Sequence, residues 1–239
     1  MSNHRLLQGG LSVVGGGNAP STLLNGLYAA WKMNETGNVN RADAVGGSTM
    51  VVNGTVNDAA GILGRAANFV GNVANYLECA DNPDISPAGT SFTVAFWIKI
   101  NTAGNQGFVN KFGGAGGSEY IVDCSATGYP RFLVYGFSTG ASVTSAVAVN
   151  DSPAWNAIRA WYDKSANKVK IQVNAGAIAE TATVGALNVS NGSMRWGMFE
   201  NVSRPCNSAI DHGHFWKRVL TDAEWLEFYN GGAGKDFVP

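Results

Sequence analysis

From Leu27 onward the chain alternates apolar and polar positions with the two-residue period of β-strands. The clearest run is Phe92, Val94, Phe96, Ile98 and Ile100, interleaved with Thr93, Ala95, Trp97 and Lys99. One face of that strand is wholly apolar and the other mixed, which predicts a core strand. Residues 120–125 and 131–137 flank Thr127-Gly128-Tyr129-Pro130, whose Gly and Pro suit a tight reversal and predict a hairpin. A second hairpin is predicted for residues 155–162 and 168–173, joined through 163–167. Ser190-Asn191-Gly192 then separates apolar runs at 187–189 and 194–198, and a last strand is predicted from Ile210 to about Trp216. Turn signals at this spacing fit an all-β fold of two antiparallel sheets.

One short C-terminal helix interrupts this pattern. Thr221 and Glu224 have the spacing of a capping box, in which hydroxyl and carboxylate satisfy each other's backbone N–H groups. Trp225, Phe228 and Tyr229 fall on one side, and Gly231-Gly232 supply the left-handed conformations that end a helix. The helix is predicted from about Asp222 to Tyr229, packed at one edge of the sandwich.

Residues 1–25 read differently. Leu6, Leu7, Leu11, Val13 and Val14 are interleaved with glycines, leaving too little apolar surface for an independent core. This predicts an extended arm that orders by docking on a neighbour, followed by one sandwich domain over 26–239. The alternative is an arm that folds back on its own domain.

Composition narrows the function classes. With 45% hydrophobic residues in 239, the chain can bury a sizeable core. Charged residues are only 14%, the formal net charge is -1, and the basic residues are scattered, which argues against a nucleic-acid partner. No apolar stretch is long enough to cross a bilayer as a helix, and the first residues lack the unbroken apolar block of a secretory signal. Synthesis in a cytosol is expected. Cys79, Cys124 and Cys206 lie far apart without metal or redox spacing, which predicts buried free thiols.

Four stretches in order resemble the laminin-G-like branch of the concanavalin A-like lectin and glucanase superfamily. They are Leu27 to Gly37 with Asp43, then Gly61 to Phe69 with Tyr76-Leu77 and Ser91 to Lys99, then Trp155 to Asp163, and finally Ile210 to Thr221 ending in Phe228-Tyr229-Asn230-Gly231-Gly232. The resemblance implies a two-sheet antiparallel jelly roll. It also implies a structural calcium ion, with Asp43 and Asp211 as carboxylate ligands and turn carbonyls near Gly37 completing a hard oxygen shell. The competing reading has Asp211 binding loop N–H groups and Asp43 as a solvated turn residue.

The superfamily's glucanases place acids as Glu-x-Asp-x-x-Glu on one strand, since retaining hydrolysis needs two carboxylates about 5 Å apart. None of the seventeen acidic residues here falls in such a run. Among other candidates, His212 and His214 could share a strand face and bind zinc or copper, or be surface histidines beside Trp216. Gly113 to Gly117 lacks the Lys-Ser/Thr of a phosphate loop. Trp97, Trp155, Trp161 and Trp196 could offer faces for sugar stacking or fill the core. The expectation is a non-catalytic protein of a virion surface, of a phage capsid or tail, assembly-bound or oligomeric through the arm. Glycan-binding lectin is the second reading, with host-surface glycans as partners, and a glycoside-active enzyme the third.

Overall fold

The computed structural model describes residues 21–113, 117–136, 141–149, 154–183, 185–199 and 204–238. Fifteen strands are formed among them: β1 (Leu27–Trp31), β2 (Val51–Asn53), β3 (Asn57–Ala60), β4 (Arg65–Asn68), β5 (Tyr76–Cys79), β6 (Phe92–Ile100), β7 (Gln106–Phe112), β8 (Ser118–Cys124), β9 (Pro130–Val134), β10 (Ala141–Thr144), β11 (Asn156–Asp163), β12 (Lys168–Val173), β13 (Ala179–Ala182), β14 (Ser193–Trp196) and β15 (Ser208–Trp216). A helix, α1 (Asp222–Tyr229), follows. Eight strands form one sheet in the order β13-β12-β11-β6-β15-β4-β3, with β1 also paired to β15. The other sheet is β10-β9-β8-β7-β14-β5-β2. Both predicted hairpins form, as β8–β9 and β11–β12.

The two sheets face each other across an apolar core. Phe92, Val94, Phe96 and Ile98 point into it and are fully buried, as their alternation requires. Phe92 stacks against Phe215 at 5.8 Å and packs on Tyr120 at 5.0 Å, while Phe96 meets the Trp196 ring edge-on at 5.3 Å. The mixed face of β6 is also covered. Ala95 and Trp97 join Ala30, Ala157 and Trp216 in a second cluster, completed from the other side by Trp225 and Phe228 of α1. The helix therefore lies over the middle strands of the eight-stranded sheet rather than at an edge, because that is where the sheet's second apolar patch is.

The capping box of α1 is present: Thr221 Oγ accepts from the Glu224 N–H at 3.2 Å, and Glu224 Oε2 accepts from the Thr221 N–H at 2.8 Å. Asn230, with φ +47°, takes the first left-handed position, one residue before the glycines. The run at 187–189 forms no strand; β14 instead pairs with β5 and β7. A bulge in β15 between Asp211 and His214 admits an extra residue. There Gly213 faces the core, where a β-carbon would stand 2.8 Å from the Trp196 ring.

The start of the sandwich lies earlier than the sequence boundary at residue 26. Leu23 is fully buried in the cluster under α1 and its carbonyl accepts from Trp216 Nε1 at 2.7 Å. Thr22 Oγ1 donates to Glu224, and Arg218 donates to the carbonyls of Thr22 and Asn25. Residues 21–25 are thus part of the domain. Leu6, Leu7, Leu11, Val13 and Val14 lie outside the described residues.

Truncating Phe96 to alanine removes a fully enclosed ring between two sheets and should cost about 3–5 kcal/mol in urea unfolding. Val51→Ala, at an exposed edge position, should stay within about 0.5 kcal/mol. Equal losses at the two positions would contradict the assigned register.

Candidate functional site

The seven-stranded sheet turns its second face away from the core, and its register sets polar residues there in a row. Glu78 of β5, Arg195 of β14, Asn110 of β7 and Ile121 of β8 are successive cross-strand partners. Arg195 Nε donates to Glu78 at 2.8 Å, and its guanidinium lies 5.2 Å from the Tyr76 ring centre. Asn110 is fully buried; its Nδ2 donates to the Met198 carbonyl at 2.7 Å, while Oδ1 has no hydrogen-bond partner. Two residues beyond Ile121, Asp123 is also fully buried and accepts from Arg131 Nε at 2.9 Å and Arg204 Nη1 at 3.0 Å. Arg204 in turn lies 4.3 Å from the Phe199 ring centre.

This face is built by one close approach. At Gly107 a β-carbon would collide with the backbone of Met198 and Phe199, so only glycine lets the segment after β14 lie against β7 and deliver Arg204 to Asp123. The side chains of Arg131, Arg195 and Arg204 are partly exposed, at 30%, 25% and 39%. Each guanidinium spends some donors on a carboxylate and keeps others for solvent or a ligand. Guanidinium donors beside aromatic rings suit hydrogen bonding and stacking with a polar ligand. They offer no nucleophile and no acid–base pair.

The carboxylates named as calcium ligands are differently employed. Asp43 accepts from the N–H groups of Ala30, Val45 and Ser48 at 2.9–3.0 Å. Asp211 is fully buried, accepts from the N–H groups of Ile62 and Leu63 at 2.9 and 3.1 Å, and lies 2.7 Å from His212 Nδ1. Such donors complete each carboxylate and direct positive dipoles at it, where a cation shell needs free oxygens. Among the described residues no group of three or more His, Cys, Asp or Glu side chains could hold a metal ion. These donor sets do not fit a shared calcium ion.

His212 and His214 are not surface residues. Both are buried, and the chain after α1 returns over His214, on which Phe237 stacks at 5.0 Å. Each uses Nδ1, toward Asp211 and the His212 carbonyl respectively, and neither Nε2 has a partner. Burial, reinforced by His212, pushes the His214 imidazole down to about 3. The tryptophans serve packing: Trp97 and Trp196 are enclosed, Trp161 is covered by Arg159 at 4.3 Å, and the partly buried Trp155 lies under Lys99 at 5.5 Å. The three cysteines are free and buried, with burial holding Cys124 and Cys206 at about 12. Gly114 to Gly116 lie outside the described residues.

The arginine–aspartate face was not anticipated from the sequence, where the basic residues read only as scattered. A signal was available: β8 alternates Tyr120, Val122 and Cys124 with Glu119, Ile121 and Asp123, so a central strand carries acids on its non-core face. Only the strand pairing reveals which bases answer them.

A model of the concanavalin A-like lectin/glucanases superfamily matches residues 71–224, more than half of the chain. No curated protein matches by sequence. Among solved structures, the binding domain of Paraclostridial Mosquitocidal Protein 1 superposes with TM-score 0.70 at 13% identity, covering 86% of this chain and 52% of that one. The botulinum neurotoxin serotype D binding domain gives 0.66 at 13% identity over 86% and 52%. The binding domain of Botulinum Neurotoxin DC in complex with SialylT gives 0.63 at 12% over 87% and 52%. The chain spans about half the length of these domains, and the likeness is one of fold.

Stability should fall in two acid steps. His214 binds its proton only at about 3 when folded but near 6.5 when unfolded, so the unfolded state takes up more protons between these values and stability drops as pH falls below 6.5. Burial of the Glu224 carboxyl works against its charge, but Arg218, Thr22 and Thr221 outweigh it and hold the group down at about 2, against 4.5 unfolded. Its contribution is full above 4.5 and lost as pH falls toward 2. Urea midpoints from pH 7 to 3 should show His214→Gln losing the first part of the slope and Glu224→Gln the second. Unchanged slopes in both variants would refute the assignment.

Proposed function

The chain belongs to the concanavalin A-like lectin/glucanases superfamily; within that fold we propose that it is a non-catalytic binding module, and further that it is displayed on a bacteriophage virion and attached there by its N-terminal arm. The observation that carries the non-catalytic part is the state of its buried acids. Glu119, Asp123, Asp211 and Glu224 are the buried carboxylates among the described residues, and each is taken up by basic side chains or N–H donors. Two acids, Asp81 and Glu119, are brought together at one base. Both contact Lys111 Nζ, at 2.7 and 2.8 Å, so an enclosed ammonium stands between them. A general acid must reach a glycosidic oxygen, and Glu119 is fully buried.

The virion part of the reading is supported by the glycine-rich, apolar segment before Ser21 and by the low charge of the chain. Such a segment binds by laying backbone against a neighbouring subunit or by adding a strand to a sheet edge. A second reading, recognition of a glycan, is favoured by the guanidinium and aromatic groups around Arg195 and Arg204. The two are compatible, with the arm as anchor and the outer face of the seven-stranded sheet as the contact surface.

Deleting residues 1–20, and no further, separates anchor from domain. The shortened protein should keep its melting temperature within about 2 °C, since the described domain is left intact, and should no longer co-sediment with the particle that retains the full chain. Persistent co-sedimentation would refute the arm's role. On a glycan array the full chain should bind without releasing reducing sugar, and Arg195→Ala with Arg204→Ala should weaken binding. Hydrolysis abolished by Glu119→Gln would overturn the non-catalytic assignment.

A further inference from the structure

The turn after β1 contains a cation of its own. Arg41 is fully buried, held by a two-way backbone bridge to Met50 at 2.9 Å. Its guanidinium lies among oxygens. Nη1 donates to the Val39 carbonyl, and Nη2 donates to the carbonyls of Gly37 and Val56 at 3.2 and 3.0 Å. Nε stands 3.7 Å from Glu35 Oε2, and neither of these two atoms has a hydrogen-bond partner. Three carbonyls and one carboxylate therefore converge on one delocalised charge.

The surrounding chain is arranged to aim those oxygens inward. Gly37 adopts φ +80°, a left-handed conformation, and its N–H is held by Asp58 Oδ1 at 2.5 Å. Asn38 binds both the Gly54 carbonyl and the Val56 N–H, fixing the corner that leads into β3. Glu35 Oε1 accepts from the Ala42 N–H at 2.7 Å. Carbonyls plus a carboxylate are the donor set of a hard cation, and the Gly37 carbonyl lies in the turn whose carbonyls were expected in a calcium shell. Here it serves a side chain. Burial works against the Arg41 charge, with Glu35 and Asp58 opposing that effect, so the oxygens are what make an enclosed guanidinium tolerable.

We propose that Arg41 is the resident cation of this turn, occupying an oxygen cage in place of a metal ion, so that the fold is independent of calcium and its loss converts the cage into a cation-requiring site. The consequence distinguishes this from ordinary packing. Removing the guanidinium leaves three inward carbonyls and Glu35 without a counter-charge, a concentration of negative potential that a small cation can enter with its waters.

The test is thermal unfolding of the full chain in about 5 mM CaCl2, about 5 mM MgCl2 or EDTA, at matched ionic strength. The native protein should unfold within about 1 °C in all three; a rise specific to calcium would overturn the proposal whatever the variants do. Arg41→Ala should unfold about 10 °C lower or more in EDTA, as breaking a buried ion pair does in a domain of this size. It should regain several degrees with calcium or with millimolar methylguanidinium, a gain the native protein does not show. An unchanged midpoint, or a lowered one that neither cation raises, would show that Arg41 acts by packing alone and would also overturn it. If Arg41→Ala does not fold, Arg41→Lys keeps the charge on one nitrogen with fewer donors; it should unfold several degrees below the native protein and, with its ammonium filling the cage, gain nothing from calcium or methylguanidinium. A lysine variant as stable as the native protein would refute the cage.

Discussion

The structure depends on the burial of the eight-stranded sheet on both of its faces. Its central strands, β6 and β15, put Phe92, Phe96 and Phe215 into the space between the sheets, and Trp97 and Trp216 into the layer under α1. A sheet buried on both faces has little freedom of register, because a one-residue slip would exchange the two sets of side chains. The bulge at Asp211–His214 is the one adjustment along the β6–β15 pairing, and Gly213 is the residue that fits it.

A consequence is that, among the described residues, buried charge is answered by an opposite charge or by polar groups. Arg159 illustrates this, lying between the rings of Trp161 and Trp225 at 4.3 and 5.4 Å while binding Asp222, Gln172 and the carbonyl of Leu220. It ties the helix to the sheet by polar contacts within an apolar layer. Arg41, Lys111 and the pair around Asp123 are other instances, each joining segments far apart in sequence or shaping a turn. Buried ions so paired contribute little net stability but exclude alternative arrangements, since any shift leaves a charge alone.

The long core strand, both hairpins and the capped helix were legible in the sequence, because each is decided by local alternation or by a cap within a few residues. Strands β2, β3 and β13 were not read as such, being three or four residues long and lacking a fully apolar face. The position of the helix was misread for a related reason: Ala95 and Trp97 reveal a second buried face only once Trp225 is known to lie opposite. The candidate site was least legible. Glu78, Arg195, Asn110 and Asp123 come from four strands, and nothing in the spacing of residues along the chain indicates their adjacency. Asp43 and Asp211 stood out by position in a motif, yet the groups that decide their role are backbone N–H donors, which every sequence carries alike.

The layer under α1 also gathers the two ends of the described domain, since Leu23 and Val238 belong to the same apolar cluster and Lys32 pairs with Asp236 beside it. Tension applied between these ends is therefore borne first by α1 and the short segments around it, and next by the β1–β15 pairing, which both segments leave at its Leu27–Trp216 end. Pulled in this way, the domain can yield a few residues at each end and still keep both sheets closed, with the arginine face of the seven-stranded sheet undisturbed on the opposite side. The same proximity of the ends lets such a domain be spliced into a loop of another protein with little strain on either.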